Sequence, residues 1–499
     1  MQLTSLALSP PVSAPDRTLS ETPDSVIPPS SPVIVLVDPV STGACLAKEL
    51  ADRGHRCVMA GCSHTHTERM RACVCWHRSR PMSSRVRLCE RRLVRVWSDT
   101  CPDNVKAHTK QGTEVSYIGE VQVVSDDFEA AVAAVGKYGP IRDVMVGCES
   151  GVLCADRLAA ALGMKRSNGE ALSALRRNKW HQIEAVRAAG LDAPLQKLAV
   201  CAADVDEWLA TASHQSPFKA VVKPVEGAGS DGVAICDSPE EVRSAFNALE
   251  GTRNVLGLVN YEVLLQEYLL GDEYVIDTVS AAGCHKVVAI WKYDKREANG
   301  APVVYFGMRL LELHAEPELA AMVAYVEGVL DAIGIEWGAM HTEVKLEARG
   351  PVLVEVNGRL HGGEGIWLPI ADACLGYTQV SAMCDAYLNH EAFNALPRVP
   401  TGLRAHGAWV TVRSSAGGAI TRIDHGRIET IRQLPSYLDE YVPLAVGKHV
   451  AMTVDACTVH GCFNLAHPDP EQLASDYATA QALVDAGLFD VEEATNRNA

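Results

Sequence analysis

The residues His341 to Gly363 read HTEVKLEARGPVLVEVNGRLHGG, and their types and spacing could do chemistry. Glu343, Glu355 and Asn357 lie on two short apolar-alternating runs, with Arg359 two residues beyond. In an extended run such as VLVEVN successive side chains point to opposite faces, so Glu355 and Asn357 share one face. Glu343 and Glu355 are separated by Gly350-Pro351, a turn signal that would fold the two runs into a hairpin and bring the carboxylates together. Two adjacent carboxylates repel, and one would keep a proton unless a cation lay between them. Two carboxylates and an amide oxygen are hard ligands suited to Mg²⁺, which is commonly shared with phosphate oxygens. Arginine adds a planar fork that fits a phosphate or carboxylate. The stretch therefore predicts a metal–nucleotide site, with Glu343, Glu355 and Asn357 as metal ligands.

The elements that would position this site come from a chain of 499 residues, long enough for roughly three domains. A hydrophobic fraction of 47% with 21% charged residues is that of a globular protein. The net charge of −17 argues against a general nucleic-acid binder, while leaving room for a locally bound anionic nucleotide. There is no apolar run of the length that crosses a membrane, so no membrane partner is expected. Residues 1–31, rich in Pro, Ser and Thr and carrying Asp16, Glu21 and Asp24, read as a disordered tail rather than a secretory or transit segment. The sixteen cysteines are scattered through apolar runs such as AVCAAD and VAICDS. That pattern predicts buried free thiols and a cytoplasmic protein.

Order is expected from Val33. VIVLVD is an apolar β run, and PVSTGACLAKELADRGHRCVM has helical apolar spacing, together the opening of an open α/β sheet over residues 32–160. There is no G-x-G-x-x-G after the strand, so no dinucleotide fingerprint is read. Residues 61–92 fit poorly: they hold eight Arg, two Glu, four Cys and three His without a period of 2 or 3.6. His64, His66, Cys73, Cys75 and His77 lack a matched second ligand pair for zinc, and the segment reads as an atypical insertion. Further on, RSNGEALSALRRNKWHQIEAVRAAGL predicts a helix started by a Ser167–Glu170 capping box. AVVKPVEGAGSDGVAICD predicts strand–glycine-rich loop–strand, unlike a P-loop, whose glycines precede a helix. Strands then follow over VLLQEYLLG, EYVIDTVSAAG and KVVAIWKYDK, a helix around 317–333, and β-rich sequence from Gly402 to Leu465 before a last helix near 472–487.

Read in order, Lys179, Lys223 with its glycine-rich loop, Glu267 to Leu269, Glu273, Glu343, Glu355, Asn357 and Arg359 resemble the motif series of the ATP-grasp superfamily. Within it the chain looks most like carboxylate–amine ligases of the L-amino acid ligase and carnosine synthase kind. The resemblance covers about residues 33–390, with residues after 402 similar to the C-terminal extension of those ligases. It implies an α/β ATP-grasp fold: an N-terminal open α/β (pre-ATP-grasp) domain, an ATP-grasp region over 161–395, and a β-rich C-terminal domain over 396–499. The resemblance further implies ATP and Mg²⁺ (or Mn²⁺) as cofactors. Lys179 and Lys223 would contact phosphate oxygens, the backbone of Glu267, Tyr268 and Leu269 the adenine edge, and Glu273 the ribose hydroxyls. Gly227, Gly229 and Ser230 belong to a loop whose glycines permit close approach to phosphates. Arg359 would hold the γ-phosphate and the acyl phosphate, as the catalytic residue, and the turn His361-Gly362-Gly363 would offer amides to a carboxylate. Lys295, Arg296 and Arg309 are candidate partners for a substrate carboxylate, with a solvated basic face as the alternative.

The implied reaction is ATP-dependent ligation of a small-molecule carboxylate, an amino acid first among the candidates, to an amine through an acyl phosphate. A homodimer is one open assembly state. A biotin-dependent carboxylase is disfavoured by the absence of a Met-Lys-Met carrier motif, and a D-alanine-type ligase by the extra C-terminal region. A catalytically silent ATP-binding protein would have lost a metal ligand or a phosphate lysine, and this chain keeps them. A ligase acting on a carboxylate other than an amino acid stays open as well.

Overall fold

The structure, a computed structural model, describes residues 32–64, 93–102, 118–123, 128–211, 217–227, 229–254 and 257–493. The expected N-terminal tail and most of the atypical segment 61–92, including His66, Cys73, Cys75 and His77, lie outside the described residues.

The first sheet contains β1 (Val33–Val37), β2 (Arg56–His64), β3 (Leu93–Pro102), β4 (Ile118–Val123) and β5 (Ile141–Val146). Their order is β2-β4-β3-β1-β5, with further pairings of β2 to β1 and to β3, all parallel. All five residues of β1 are buried, which explains why VIVLV is apolar at every position rather than alternating. The helix after β1 covers only Thr42–Asp52, and Arg56–His64 is a strand. This corrects the helix expected to run into HRCVM. Gly54, at φ +82°, ends the helix, and Arg56 to Met59 then pair with β1.

A four-stranded antiparallel sheet of order β6-β9-β7-β8 comes next, from β6 (Gln196–Ala199), β7 (Ala220–Pro224), β8 (Ala234–Cys236) and β9 (Val263–Glu267). The helix Pro239–Leu249 packs Val242, Phe246 and Leu249 onto it. Its start is written locally: Ser238 Oγ accepts from the Glu241 amide at 3.2 Å, with Pro239 and two glutamates in the first turn.

The third unit is one eight-stranded antiparallel sheet of order β14-β13-β10-β11-β12-β15-β19-β17. It contains β10 (Glu273–Ala281), β11 (Cys284–Ala298), β12 (Ala301–Leu311), β13 (Gly338–Glu347), β14 (Gly350–Asn357), β15 (His406–Thr411), β17 (Tyr437–Tyr441) and β19 (Cys462–His467). The helix Leu319–Ala332 fills one face with Met322, Val326, Val329 and Leu330, against Tyr274, Ile276, Met340 and Val344. Strands from residues 396–499 thus extend the same sheet that carries the Glu343 and Glu355 strands. A small sheet of β16 (Gly418–Ile423), β18 (His449–Val450) and β20 (Phe489–Glu493) lies beside it.

Two local expectations need correction. Residues 166–191 are not one helix: a short 3₁₀ turn, Ser173–Arg176, precedes a helix at Lys179–Ala188. Ser167 does not cap, its hydroxyl donating instead to Met164 O, and the cap is Asn178, which accepts from the His181 amide at 3.2 Å. The β13–β14 turn sits at Ala348-Arg349, with Gly350, at φ +118°, already the first residue of β14.

Candidate functional site

The hairpin β13–β14 builds the core of the site. Glu343 pairs in register with Glu355, and His341 with Asn357. A bulge after Glu343 puts Val344 opposite Leu353, skipping Val354, and this shift is what sets the two carboxylates opposite each other. On the other side of β13, Val275 pairs with Glu343 and Asp277 with His341. Glu273, Asp277, Glu343, His341, Glu355 and Asn357 consequently share one face of the large sheet.

Lysines reach this face from two other elements. Lys179 is the first residue of its helix, and its Nζ lies 2.8 Å from Glu355 Oε2. Lys223, near the end of β7, is only 6% exposed, and no hydrogen-bond acceptor or ion-pair partner meets its Nζ among the described residues. Burial pushes the Lys223 ammonium down to about 8, aided by the like charge of Lys179 and opposed by Glu355, Glu343 and Glu273. A buried cation without a hydrogen-bonded partner is costly, and an anion arriving at this site would relieve that cost. Around the carboxylates, Glu343 is pushed upward by burial, but His341 and Lys295 hold it far below the usual range and ionised. Glu273 is pushed up by burial against the opposing charge of Lys295.

The glycine-rich loop between β7 and β8 takes left-handed backbone at Gly229, Ser230 and Gly232. Gly227 O lies 3.4 Å from Lys179 Nζ, and a Cβ on Gly229 would come within 3.0 Å of Cys457 Sγ, so the loop spans from Lys179 to the C-terminal region. Glu267 ends β9 and its carboxylate is paired with Arg349. The Tyr268 ring has Lys219 and Lys345 over it at 5.0 and 5.2 Å, and Leu269 O accepts from Lys345 Nζ at 3.2 Å. Glu273 is ion-paired with Lys295, whose ammonium lies 4.1 Å from the Tyr293 ring and 4.5 Å from the Tyr305 ring. Of the three basic residues weighed for a substrate carboxylate, Lys295 is therefore inside the site, Arg296 is paired with Asp294, and Arg309 is exposed on β12.

Arg359 reaches across to the first sheet. Its Nε lies 2.9 Å from Glu149 Oε2, at the start of the short 3₁₀ turn Glu149–Gly151 after β5, and Glu149 is also paired with Arg177. Burial pushes Glu149 up, yet Arg177, Arg359 and Lys179 hold it below the ordinary carboxylate range. Sequence reasoning passed over Glu149, because a lone acid after an apolar strand carries no spacing signal. The His361 amide does not face an open pocket: it donates to Gln379 Oε1 at 2.8 Å. This corrects part of the expectation for the His361-Gly362-Gly363 turn.

Asp277 was also missed. It is fully buried and accepts from His341 Nδ1 (3.0 Å), His361 Nδ1 (2.8 Å) and Trp291 Nε1 (2.9 Å). Burial opposes its charge, but the two imidazoles hold it far below its usual range. By composition Asp277, His341 and His361 could ligate a metal, yet both Nδ1 atoms are already engaged by the carboxylate. His341 Nε2 lies 3.2 Å from Glu343 Oε1, so the imidazole orients the carboxylate from behind.

Carboxylates, lysines, an arginine and a glycine-rich loop converge here from three sheets. Residues 216–367 match the family model described as the ATP-grasp domain. Dapdiamide A synthase of Enterobacter agglomerans is 34% identical over 253 residues, 51% of this chain and 58% of that protein. Carnosine synthase 1 of Homo sapiens is 24% identical over 267 residues, 51% of this chain and 31% of that protein. The chain thus matches less than two thirds of the length of either. The crystal structure of L-amino acid ligase from Bacillus licheniformis superposes with a TM-score of 0.66 at 16% identity, covering 93% of this chain and 100% of that one. Residues 216–367 are an ATP-grasp domain, and the chain around them has the ATP-grasp fold.

Proposed function

We propose that this protein is an ATP-dependent carboxylate–amine ligase, joining two small molecules, amino acids first among them, through an acyl phosphate. One observation carries the reading above the others: the paired carboxylates Glu343 and Glu355 stand in register on the same face that Lys179 and Lys223 reach, the latter without a hydrogen-bond or ion-pair partner among the described residues. The resemblance in sequence to Dapdiamide A synthase and Carnosine synthase 1 supports joining a carboxylate to an amine.

The donor set fits Mg²⁺ or Mn²⁺. Glu343 is ionised, Glu355 faces it, and Asn357 supplies an amide whose nitrogen donates to Glu355 Oε1 at 3.2 Å, leaving its oxygen for a cation. When bound, the metal would screen the charge on the phosphates as the carboxylate approaches. The chain's own residues do the remainder. Lys223 and Lys179 neutralise phosphate oxygens, the second by exchanging Glu355 for its new partner. Gly227, Gly229 and Ser230 lie over the phosphates and keep water from the acyl phosphate. The backbone from Glu267 to Leu269 follows β9 at the nucleoside end, with Glu273 beside it for the ribose once Lys295 yields. Arg359, held between Glu149 and the site, stands to receive the transferred phosphoryl group.

The test is phosphate release from MgATP by purified protein, screened over single carboxylic acids and then acid–amine pairs. Release that requires an acid supports the reading. ATP binding without release over the whole panel would favour the silent nucleotide-binding alternative.

A further inference from the structure

The ligation leaves one group unassigned. An amino acid presents its amine as ammonium, and one proton must leave before nitrogen can attack. His361 is in the right chemical state to take it. Its ring is buried, 5% exposed, stacked on Trp367 with centroids 5.1 Å apart and edge-on to Trp291 at 6.0 Å. Gln379 fixes the backbone below it by accepting from the His361 amide while donating to Thr278 O and Met340 O.

The proton positions follow from the partners. Asp277 collects three donors, one of them the Trp291 indole N–H, which can only donate, and it is ionised. An ionised carboxylate accepts only, so His361 carries its proton on Nδ1. Nε2 is then the bare nitrogen, and it has no hydrogen-bond partner among the described residues. Burial, with the neighbouring His341 and Arg359, pushes the imidazolium down and favours the neutral ring despite Asp277. The ring lies 4.2 Å from His341, which itself touches Glu343, and the charge of Arg359 acts on it, so one imidazole separates it from the metal carboxylate.

We propose that His361 is the general base of amide formation, with Asp277 as the positioning residue that holds its tautomer. The proposal rests on the ligase reading above. His361 Nε2 takes one proton from the ammonium group, and the freed lone pair forms the C–N bond at the acyl carbon. The C–O bond to the phosphoryl group breaks, and the second amine proton leaves with phosphate as hydrogen phosphate. The imidazolium then returns its proton to solvent.

Hydroxylamine separates this step from the others, because it is largely unprotonated at neutral pH and needs no base to attack an acyl phosphate. With the acid and amine found in the screen, His361→Gln and His361→Asn are each compared with the wild type in amide formation and in hydroxamate formation. His361→Asn keeps a donor where Nδ1 stood and has nothing at Nε2, so it carries the test if His361→Gln fails to fold. The expected result is amide formation lower by on the order of a hundredfold, the usual size of a general-base contribution. Hydroxamate formation should stay within a few-fold of wild type. Equal loss of both products in both variants would make His361 a structural residue, and loss of neither would remove it from the reaction; either overturns the proposal. A wild type that forms no hydroxamate from any acid would instead bring down the ligase reading itself.

Discussion

At the scale of single residues, the site trades stability for function. Lys223 is a buried ammonium whose favourable neighbours are distributed rather than hydrogen-bonded. Its folded value of about 8 lies below the ordinary 10.5, so the unfolded chain holds the proton more tightly. Stability should therefore rise with pH from about 8 to 10.5, and Lys223→Met should raise it at pH 7, by up to about 3 kcal/mol from the size of the shift. The same variant should lose most of its ATP affinity, measurable by titration calorimetry alongside thermal unfolding. ATP binding by the wild type should weaken as pH rises through 8 and take up protons there, because only the charged lysine meets phosphate. Glu355→Gln should leave the unfolding temperature within a few degrees of wild type. It should lower turnover by at least about a hundredfold, since a metal at such a site supplies several kcal/mol of charge stabilisation. Most of these residues were legible from the sequence, because Lys223, Glu343, Glu355, Asn357 and Arg359 sit in short patterned runs. Glu149 and Asp277 were not. Each is a single acid tied to the site by a partner far away in sequence, Arg359 by 210 positions and His341 by 64.

At the scale of elements, the placement of Glu355 depends on two devices that periodicity does not reveal. One is the bulge that skips Val354. The other is Gln182, on the helix Lys179–Ala188, whose amide donates to Val356 O at 2.7 Å and accepts from Val356 N at 3.1 Å. This clamp fixes β14 between Glu355 and Asn357 and ties the strand to the helix that carries Lys179. Gln182→Ala should cost about 1–3 kcal/mol, the penalty for leaving buried backbone groups unpaired. Denaturant unfolding measures that cost, and KM for MgATP should rise as well. The hairpin itself was readable from alternation, but its turn lies at Ala348-Arg349, one step before the Gly350-Pro351 pair that signalled it. The helix start at Lys179 was misread, because the Ser167–Glu170 spacing imitates a capping box while Asn178 supplies the actual cap. The boundary after Asp52 was misread for a related reason: HRCVM has apolar spacing that suits either period, and pairing with β1 decided for strand.

At the scale of the whole molecule, the large sheet makes the parts depend on one another. The strands β15, β19 and β17 continue the sheet that begins at the metal hairpin, with Gly307, Met308 and Arg309 of β12 paired to β15. Gly307 is closed in by Trp409 O and the Tyr477 hydroxyl, so even a methyl group there would collide with the C-terminal region. A chain ended near residue 400 should therefore expose β12 as a bare edge and aggregate, which light scattering during expression of the truncated protein would show. The sequence marked the region after 396 as β-rich, but not that it shares a sheet with the hairpin, since strand order across a sheet leaves no local trace. Ten of the described cysteines are free thiols, with Cys201, Cys284 and Cys457 exposed rather than buried, and no helix among the described residues is long and apolar enough to cross a membrane. The central claim is that the three larger sheets converge on an ATP-driven ligation. Its most direct test is phosphate release from MgATP across pairs of amino acids, followed by mass analysis of the product. The account predicts release that depends on a particular pair and a product whose mass is the pair less one water. Phosphate release indifferent to any acid or amine, with no condensed product, would contradict it.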